Sequence, residues 1–281
     1  MSNQAGALYV VATPIGNLED LTPRARRVLA EVDLVAAEDT RHSGRLLRHF
    51  GILTPLAAFH EHNEREKTEE LIAYIRKGKR VALVSDAGTP LVSDPGYRLV
   101  RAAHEAGIAV VPLPGPCAAV TALSASGLPS DRFAFEGFPP AKAMARRAWL
   151  ERLVHEPRTL IFYESPHRIA ESLADMLAVF GAERETVYAR ELTKQFETIR
   201  HATLGDIAAW VSAERQQQVG EIVVLVHGAS AVEDSEANAE AERVLRILLA
   251  ELPVSQAAAL AAEISGWRKK ELYELALKIK K

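Results

Sequence analysis

Cysteine occurs once in 281 residues, at Cys117. That excludes a disulfide framework and any multi-cysteine metal site within the chain, and it fits a reducing compartment. No G-x-G-x-x-G follows a strand-like run; only Gly16 marks the first turn. No G-x-x-x-x-G-K-[ST] occurs either. Both absences weigh against an ordinary dinucleotide or nucleoside triphosphate site. Long apolar runs are missing too: nothing approaches the roughly eighteen residues of a membrane span. The opening MSNQAGALYVVATPIGN has no positively charged start, so neither a signal peptide nor a membrane anchor is expected. A large excess of charge is also absent. The formal net charge is −3, so a polyanionic partner would have to meet a local patch rather than the whole surface.

What is present suits a globular protein. The chain is 48% hydrophobic and 25% charged, ample for a core and unlike a disordered sequence. Its length suggests more than one domain.

The stretch VALVSDAGTPLVSDPG, residues 81–96, organises the rest. Val81 to Val84 reads as a buried strand. It stops at Ser85-Asp86-Ala87-Gly88-Thr89-Pro90, and Gly96 then opens a helical pattern from Tyr97 to Ala106. Gly88 permits a positive φ and a close backbone approach. A βα connection usually runs about two to six residues, and this one is about twice that, rich in Asp, Ser, Thr, Gly and Pro. Strand, stiff loop and helix together place a small-molecule site at the carboxyl end of a sheet strand.

The same alternation continues on both sides. Strands are expected at Ala7–Ala12, Leu34–Ala37, Leu56–Phe59 and Ile108–Val111. Helices follow: one capped by Thr22 with Pro23 at its first position, one capped by Ser43, one over Glu66–Lys77, and one over Cys117–Ser126. This is βαβα order, hence a mostly parallel sheet with helices on both faces. Residues 1–126 form this N-terminal α/β domain. After Gly127-Leu128-Pro129-Ser130 the order is less regular. Strands are expected near Phe133–Glu136, Thr159–Tyr163, Thr186–Arg190, Phe196–His201 and Glu221–Val226. Helices are expected at Lys142–Leu153 and after Ser165-Pro166. Residues 127–230 therefore read as a second α/β domain with a mixed sheet. Residues 230–238 read as an acidic linker, and 231–281 as a helical C-terminal tail.

Polar groups recur at the strand ends: Glu38-Asp39-Thr40-Arg41, His60 to Asn63, Ser85-Asp86, and Glu164-Ser165 with His167-Arg168. In a parallel sheet these ends share one edge, so the groups are expected to converge on one cleft. A carboxylate beside an arginine suits a hydroxyl- and phosphate-bearing substrate. Ser43 and Ser165 are expected to cap their helices. His60 and His62 have no evident third ligand, so no metal site is expected. Cys117 has no positioned base, so a pocket-floor role is expected rather than a nucleophile.

At these residues the chain resembles a known group. LYVVATPIGNLEDLTPRA, SDAGTPLVSDPG and PLPGPCAAVTALSASGLP are similar to the tetrapyrrole-methylase superfamily of S-adenosylmethionine-dependent enzymes. AEDTRHSGRLL, FHEHNE and FYESPHRI resemble its RNA-modifying branch, the 16S ribosomal RNA (cytidine-2′-O)-methyltransferase family. The resemblance implies a two-domain tetrapyrrole-methylase-like α/β fold, a mostly parallel N-terminal sheet, a mixed-sheet second domain and a helical tail. It implies a homodimer, no metal, S-adenosyl-L-methionine as cofactor and 16S ribosomal RNA within the small subunit as partner. A cytoplasmic, membrane-free location goes with it. The implied cofactor residues are Pro14 in the first loop and Asp86, Ala87, Gly88, Thr89 and Val92 in the central one. The remainder are Cys117, Ala118, Tyr163, Glu164, Leu192, Gly220, Glu221 and Ile222. Cys117 replaces a small hydroxyl residue usual in the superfamily.

A sulfonium methyl is already activated, so the enzyme mainly positions the acceptor oxygen, at about 3–3.5 Å in a near-attack geometry. A ribose 2′-hydroxyl also benefits from a base within hydrogen-bond reach. Asp39, Asp86 and His62 are the base candidates, and Arg41 and Asn63 the orienting ones. Two alternatives share parts of the pattern. A tetrapyrrole C-methyltransferase would keep the cofactor loops but lack AEDTR and FHEHN. A non-catalytic RNA-binding or assembly factor would not need intact loops. The tail segment 266–281 holds six Lys/Arg against two Glu, with Leu272, Leu275, Ala276 and Ile279 at helical spacing. With the preceding PVSQAAALAAEISGW it reads as a helix-turn-helix able to meet a phosphate backbone.

Overall fold

The computed structural model describes residues 6–229, 235–267 and 269–279. The first half alternates strand and helix: β1 (Ala7–Val11), α1 (Pro23–Glu31), β2 (Leu34–Ala37), α2 (Thr40–His49), β3 (Leu56–Ala58), α3 (Glu64–Arg76), β4 (Arg80–Val84), α4 (Tyr97–Glu105), β5 (Ala109–Leu113) and α5 (Ala118–Ser126). The second half runs β6 (Phe133–Gly137), α6 (Ala143–Glu151), β7 (Thr159–Glu164), α7 (Ile169–Phe180), β8 (Glu185–Arg190), β9 (Thr198–Thr203), α8 (Leu204–Ala213) and β10 (Ile222–Val226). Three helices follow, α9 (Ser235–Glu251), α10 (Val254–Ser265) and α11 (Lys269–Ile279).

The first five strands form one parallel sheet in the order β3-β2-β4-β1-β5. Its central strands are apolar without alternation, because both faces are covered. One face packs against α1 and α2 through Val28, Leu29, Leu47 and Val84; the other packs against α3 and α4 through Leu71, Ile75, Leu83 and Leu99. Each such fully buried aliphatic side chain contributes about 1.5–3 kcal/mol. The second sheet is mixed, in the order β6-β7-β10-β8-β9, with only β6 and β7 parallel. Its inner face carries α6, α7 and α8; its other face takes α5, through Ala119, Ala122 and Leu123 against Ile161, Val187 and Val223. The helix that leaves the first sheet thus lies on the second.

Several local expectations hold and others shift. Thr22 caps α1, accepting from the Ala25 amide at 3.1 Å, with Pro23 at the first position. Ser43 does not cap α2: it is buried one turn inside, and the cap is Asp39. Ser165 is not the cap of α7 either. That position falls to Arg168, and Ser165 Oγ accepts from the His167 amide at 3.3 Å. Helix α8 has no counterpart in the sequence reading. Its start signal was present: Thr203 accepts from the Asp206 amide at 3.2 Å, and Leu204, Ile207 and Val211 are buried at helical spacing.

The chain divides into two compact units, one ending at Gly228 and the other running from Ala229. The second has its own core of Ala241, Leu245, Ala257, Ala258, Ala261, Leu272 and Ala276, with Leu275 and Ile279 packed against it. Of the expected acidic linker, 230–234 lie outside the described residues, and 235–238 belong to α9. Among the described residues no helix is long and apolar enough to cross a membrane.

Candidate active site

The carboxyl ends of β4, β1 and β5 are adjacent in the first sheet, and their loops are joined by hydrogen bonds. The Thr13 and Gly88 backbones exchange N–H···O bonds at 2.9 and 3.0 Å. Thr89 Oγ1 donates to the Pro116 carbonyl at 2.9 Å, and the buried Ser85 hydroxyl donates to the Ala87 and Gly88 carbonyls. Gly88 has φ +82°, and a Cβ there would lie 3.3 Å from Ile15 Cγ2 and 3.7 Å from the Pro116 carbonyl. Its lack of a side chain therefore serves the joining of the loops as well as any ligand. At the far end of the loop, Glu64 accepts from the Gly96 and Arg98 amides at 3.0 and 3.2 Å and so caps α4 from the start of α3. Between these anchors Leu91 and Ser93 both adopt positive φ, 74° and 65°. Two non-glycine residues in this region cost about 1–3 kcal/mol each and mark a loop whose shape is held by its surroundings.

The second sheet supplies the opposite wall. Ile222 pairs with Glu164 on one side and Arg190 on the other, so the end of β7, the end of β8 and the start of β10 share an edge. Glu164 is buried and committed: it accepts from the Ser165 amide at 2.7 Å, from Arg168 Nη2 at 2.6 Å and from the Ser172 hydroxyl. Glu191 accepts from the Glu221 amide and from Lys194 Nζ, both at 2.9 Å. Gly220 takes φ +86°, which favours glycine, and a Cβ there, 2.4 Å from Glu191 Cδ, would push the Glu191 side chain out of these hydrogen bonds. Tyr163 spans the two halves. Its hydroxyl accepts from the Ala119 amide at 3.1 Å, at the start of α5, where Cys117 as N-cap makes no side-chain cap bond. The missing hydroxyl at Cys117 is thus replaced by a phenol from the other sheet, and burial pushes that phenol well above its ordinary pKa.

Between the walls lies a cleft of about 420 Å³. Of the residues expected to hold a cofactor, Asp86, Ala87, Gly88, Thr89, Val92, Cys117, Ala118, Tyr163, Glu164, Leu192, Gly220, Glu221 and Ile222 line it. Pro14 does not; its neighbour Ile15 does. Of the expected catalytic residues only Asp86 lines it. Asp86 Oδ1 accepts from the Asp39 amide at 3.0 Å. Asp39 itself caps α2, accepting from the Arg41 and His42 amides at 2.7 and 3.3 Å, which holds its exposed carboxyl below the usual range. Arg41 is exposed and lies 3.5 Å from Asp39. Asn63 orders its own loop, accepting from the His60 amide at 2.9 Å and donating to the Ala58 carbonyl at 3.1 Å. His62 is exposed beside it. Among the described residues no three His, Cys, Asp or Glu side chains are grouped for a metal ion.

The cleft also holds Glu38, one of the strand-end groups expected to converge there though given no role, and Asp94 and Phe138, which the sequence reading did not single out. Burial, reinforced by Asp86, raises the Asp94 carboxyl to about 6. Burial, then Asp94 and Asp86, raises Glu38. Asp94 stood in plain view in the second half of the SDAGTPLVSDPG loop; both of that loop's Asp residues line the cleft, and the two positive-φ residues Leu91 and Ser93 lie between them. Carboxyls at Glu38, Asp86 and Asp94, with Glu164 and Glu221 also in the lining, stand amid apolar walls and suit a small ligand that carries positive charge, and the volume is in the range of cofactor sites.

The family model for Tetrapyrrole (Corrin/Porphyrin) Methylases matches residues 7–208, so the fold and cleft are those of an α/β methylase. Solved structures agree on the fold. A uroporphyrin-III C-methyltransferase from Thermus thermophilus aligns with TM-score 0.57 and 24% identity, over 79% of this chain and 94% of its own. A diphthine synthase aligns with TM-score 0.59 and 14% identity, over 79% and 90%. Residues 235–280 match the model for the RsmI C-terminal HTH domain. Curated relatives named Ribosomal RNA small subunit methyltransferase I are far more similar. The one from Pseudomonas aeruginosa is 64% identical over 97% of both chains. Those from Vibrio cholerae and Haemophilus influenzae are 56% and 52% identical, over 98% and 99% of this chain and 96% and 98% of theirs. The chain belongs to the tetrapyrrole methylase family and, within it, to the ribosomal RNA small subunit methyltransferase I enzymes, which are S-adenosylmethionine-dependent.

Proposed function

We propose that this chain methylates the ribose 2′-hydroxyl of a cytidine in 16S ribosomal RNA, with S-adenosyl-L-methionine held in the cleft between the two sheets. The observation that carries this reading is the 64% identity, over 97% of each chain, to a ribosomal RNA small subunit methyltransferase I. The cleft fits the cofactor in chemistry: apolar walls from Ile15, Val92, Ala118 and Leu192, with carboxyls at Glu38, Asp86 and Asp94. When bound, the cofactor supplies an activated methyl on a sulfonium centre.

The chain's own residues do the rest. Hydrogen bonds among the loops at Thr13, Gly88 and Pro116 fix the shape of one wall, which lowers the ordering cost of binding. Ala87, Gly88, Thr89 and Val92 line that wall; Leu192, Gly220, Glu221 and Ile222 line the other, with Cys117, Ala118 and Tyr163 between. Ionised Asp86 and Asp94 favour a cationic ligand. Asp86, fixed by the Asp39 amide, is the expected carboxylate that lines the cleft, and it orients the 2′-hydroxyl or takes its proton. Asp39 supports Asp86 and caps α2, and Asn63 holds the β3–α3 loop. Arg41 and His62, exposed near these strand ends, suit phosphate contact rather than chemistry. The working species is a homodimer in the cytoplasm.

Two assays test the reading. Calorimetry should show cofactor binding that strengthens as the pH rises through about 6, because Asp94 ionises there. Nuclease digestion of RNA from treated small subunits should yield 2′-O-methylcytidine. Failure of a folded protein to bind the cofactor, or a methyl found on a base instead, overturns it.

A further inference from the structure

Phe138 is 53% exposed. Among the exposed large apolar side chains of the described residues, it alone lines the cleft. It is also held firmly. It precedes Pro139-Pro140, whose carbonyls are gripped from two sides: Arg168 Nη1 donates to Pro139 at 3.2 Å, and Arg146 Nη1 to Pro140 at 3.4 Å. Both arginines are themselves fixed, Arg168 by Glu164 at 2.6 Å and the buried Arg146 by Asp175 at 2.7 Å. The Phe138 ring meets Tyr163 in a T-shaped contact at 5.6 Å, 65° between planes. One side of the ring is braced and much of its surface is bare.

A bare, immobilised aromatic at the mouth of a ligand cleft needs a partner with a π face. The carboxyls of Glu38, Asp86 and Asp94 in the same lining repel a phosphate backbone, so an uncharged part of an RNA is what enters beside it. When a ribose is the acceptor, its base lies one glycosidic bond away. Enzymes acting on a single nucleotide of a folded RNA stack the splayed base on aromatic side chains. We propose that Phe138 is the stacking platform for the base of the nucleotide being methylated. It is a specificity and positioning residue, and its role rests on the rRNA reading above.

The test uses the full-length protein and small ribosomal subunits that lack the modification. Wild type, F138A, F138L and F138W are compared in kcat/KM for the subunit and in cofactor Kd by calorimetry. F138A and F138L should lose about tenfold or more in kcat/KM, while F138W stays within about threefold of wild type, since stacking is aromatic-specific. Cofactor Kd should stay within about twofold in all. A short RNA with a fluorescent cytidine analogue at the methylated position should be quenched by wild type and F138W but not by F138L. Full activity in F138L, or cofactor affinity falling in step with activity in F138A, overturns the proposal; the second result places the ring on the cofactor. Wild type that transfers no methyl to RNA would instead overturn the rRNA reading, and is read separately.

Discussion

Asp94 sits where a carboxylate is costly. Its folded pKa of about 6 lies above the ordinary 3.8, with burial as the first cause and Asp86 as a further one. The folded state therefore binds its proton more tightly than the unfolded chain does. Below 3.8 both states are protonated and the group costs nothing. The cost grows as the pH rises from 3.8 to about 6 and is constant above. Asp94→Asn should stabilise the fold by about 1 kcal/mol at pH 8, allowing for partial screening by solvent, and by nothing at pH 3.5. The same substitution should weaken cofactor binding roughly three- to tenfold at pH 8, by loss of one partly screened charge. Thermal unfolding at the two pH values and calorimetry check both halves; a variant destabilised at pH 8 would contradict the account. Gly88 tests the backbone rather than charge. Gly88→Val forces a β-branched residue to φ +82° and a Cβ to 3.3 Å from Ile15. It should abolish cofactor binding while circular dichroism stays that of a folded protein, and unchanged affinity would refute it.

Among the elements, α6 and α7 depend on one buried ion cluster. Arg146, 1% exposed, lies 2.7 Å from Asp175, which also meets Arg147 at 2.5 Å. Burial alone would raise the Asp175 carboxyl, but Arg147 and Arg146 hold it below its usual range. Arg146→Met should destabilise the protein by about 3 kcal/mol, because the carboxylate stays buried with one exposed partner. It should also loosen the Pro140 and Ala141 carbonyls beside Phe138. Denaturant melts measure the first effect; a loss under 1 kcal/mol would show that Arg147 suffices. Elements of this kind divide what was legible from what was not. The parallel half was readable because apolar runs, Thr22-Pro23 and the long Gly/Pro loop each act through neighbours in sequence. Contacts between distant segments were not. The Asp39 cap competes with Ser43 by a choice that depends on where β2 ends. The Tyr163–Ala119 bond joins a strand of the second sheet to the start of helix α5, 44 residues apart, and no local pattern reports it. Glu38 and Asp94 were visible as residues; their shared burial follows only from the fold. Helix α8 was the avoidable omission, since its capping pair and apolar spacing are local.

At the scale of the whole molecule, the chain up to Gly228 carries both sheets and the cleft, and the part from Ala229 carries a separate core. Lys269, Lys270 and Lys278 are exposed on α11, and Leu272 and Ala276 on the same helix are buried. Arg268, Lys280 and Lys281 of the basic tail lie outside the described residues. The match to an HTH domain model over 235–280 supports a nucleic-acid contact there. Deleting 235–281 should leave cofactor affinity within about twofold and weaken binding to the small subunit. The difference should shrink as salt rises, because phosphate contacts act by counterion release. Filter binding at two salt concentrations decides this, and unchanged RNA affinity at low salt returns the tail to a packing role. The central claim, methyl transfer to an RNA ribose, is met most directly by one measurement. Small subunits lacking the modification are incubated with the enzyme and methyl-labelled S-adenosylmethionine, and the digested 16S RNA is analysed by mass spectrometry. The account predicts one labelled nucleoside, 2′-O-methylcytidine, in wild type, with strongly reduced yield in Asp86→Ala. Label on a base, on a tetrapyrrole supplied in competition, or on nothing at all would contradict it.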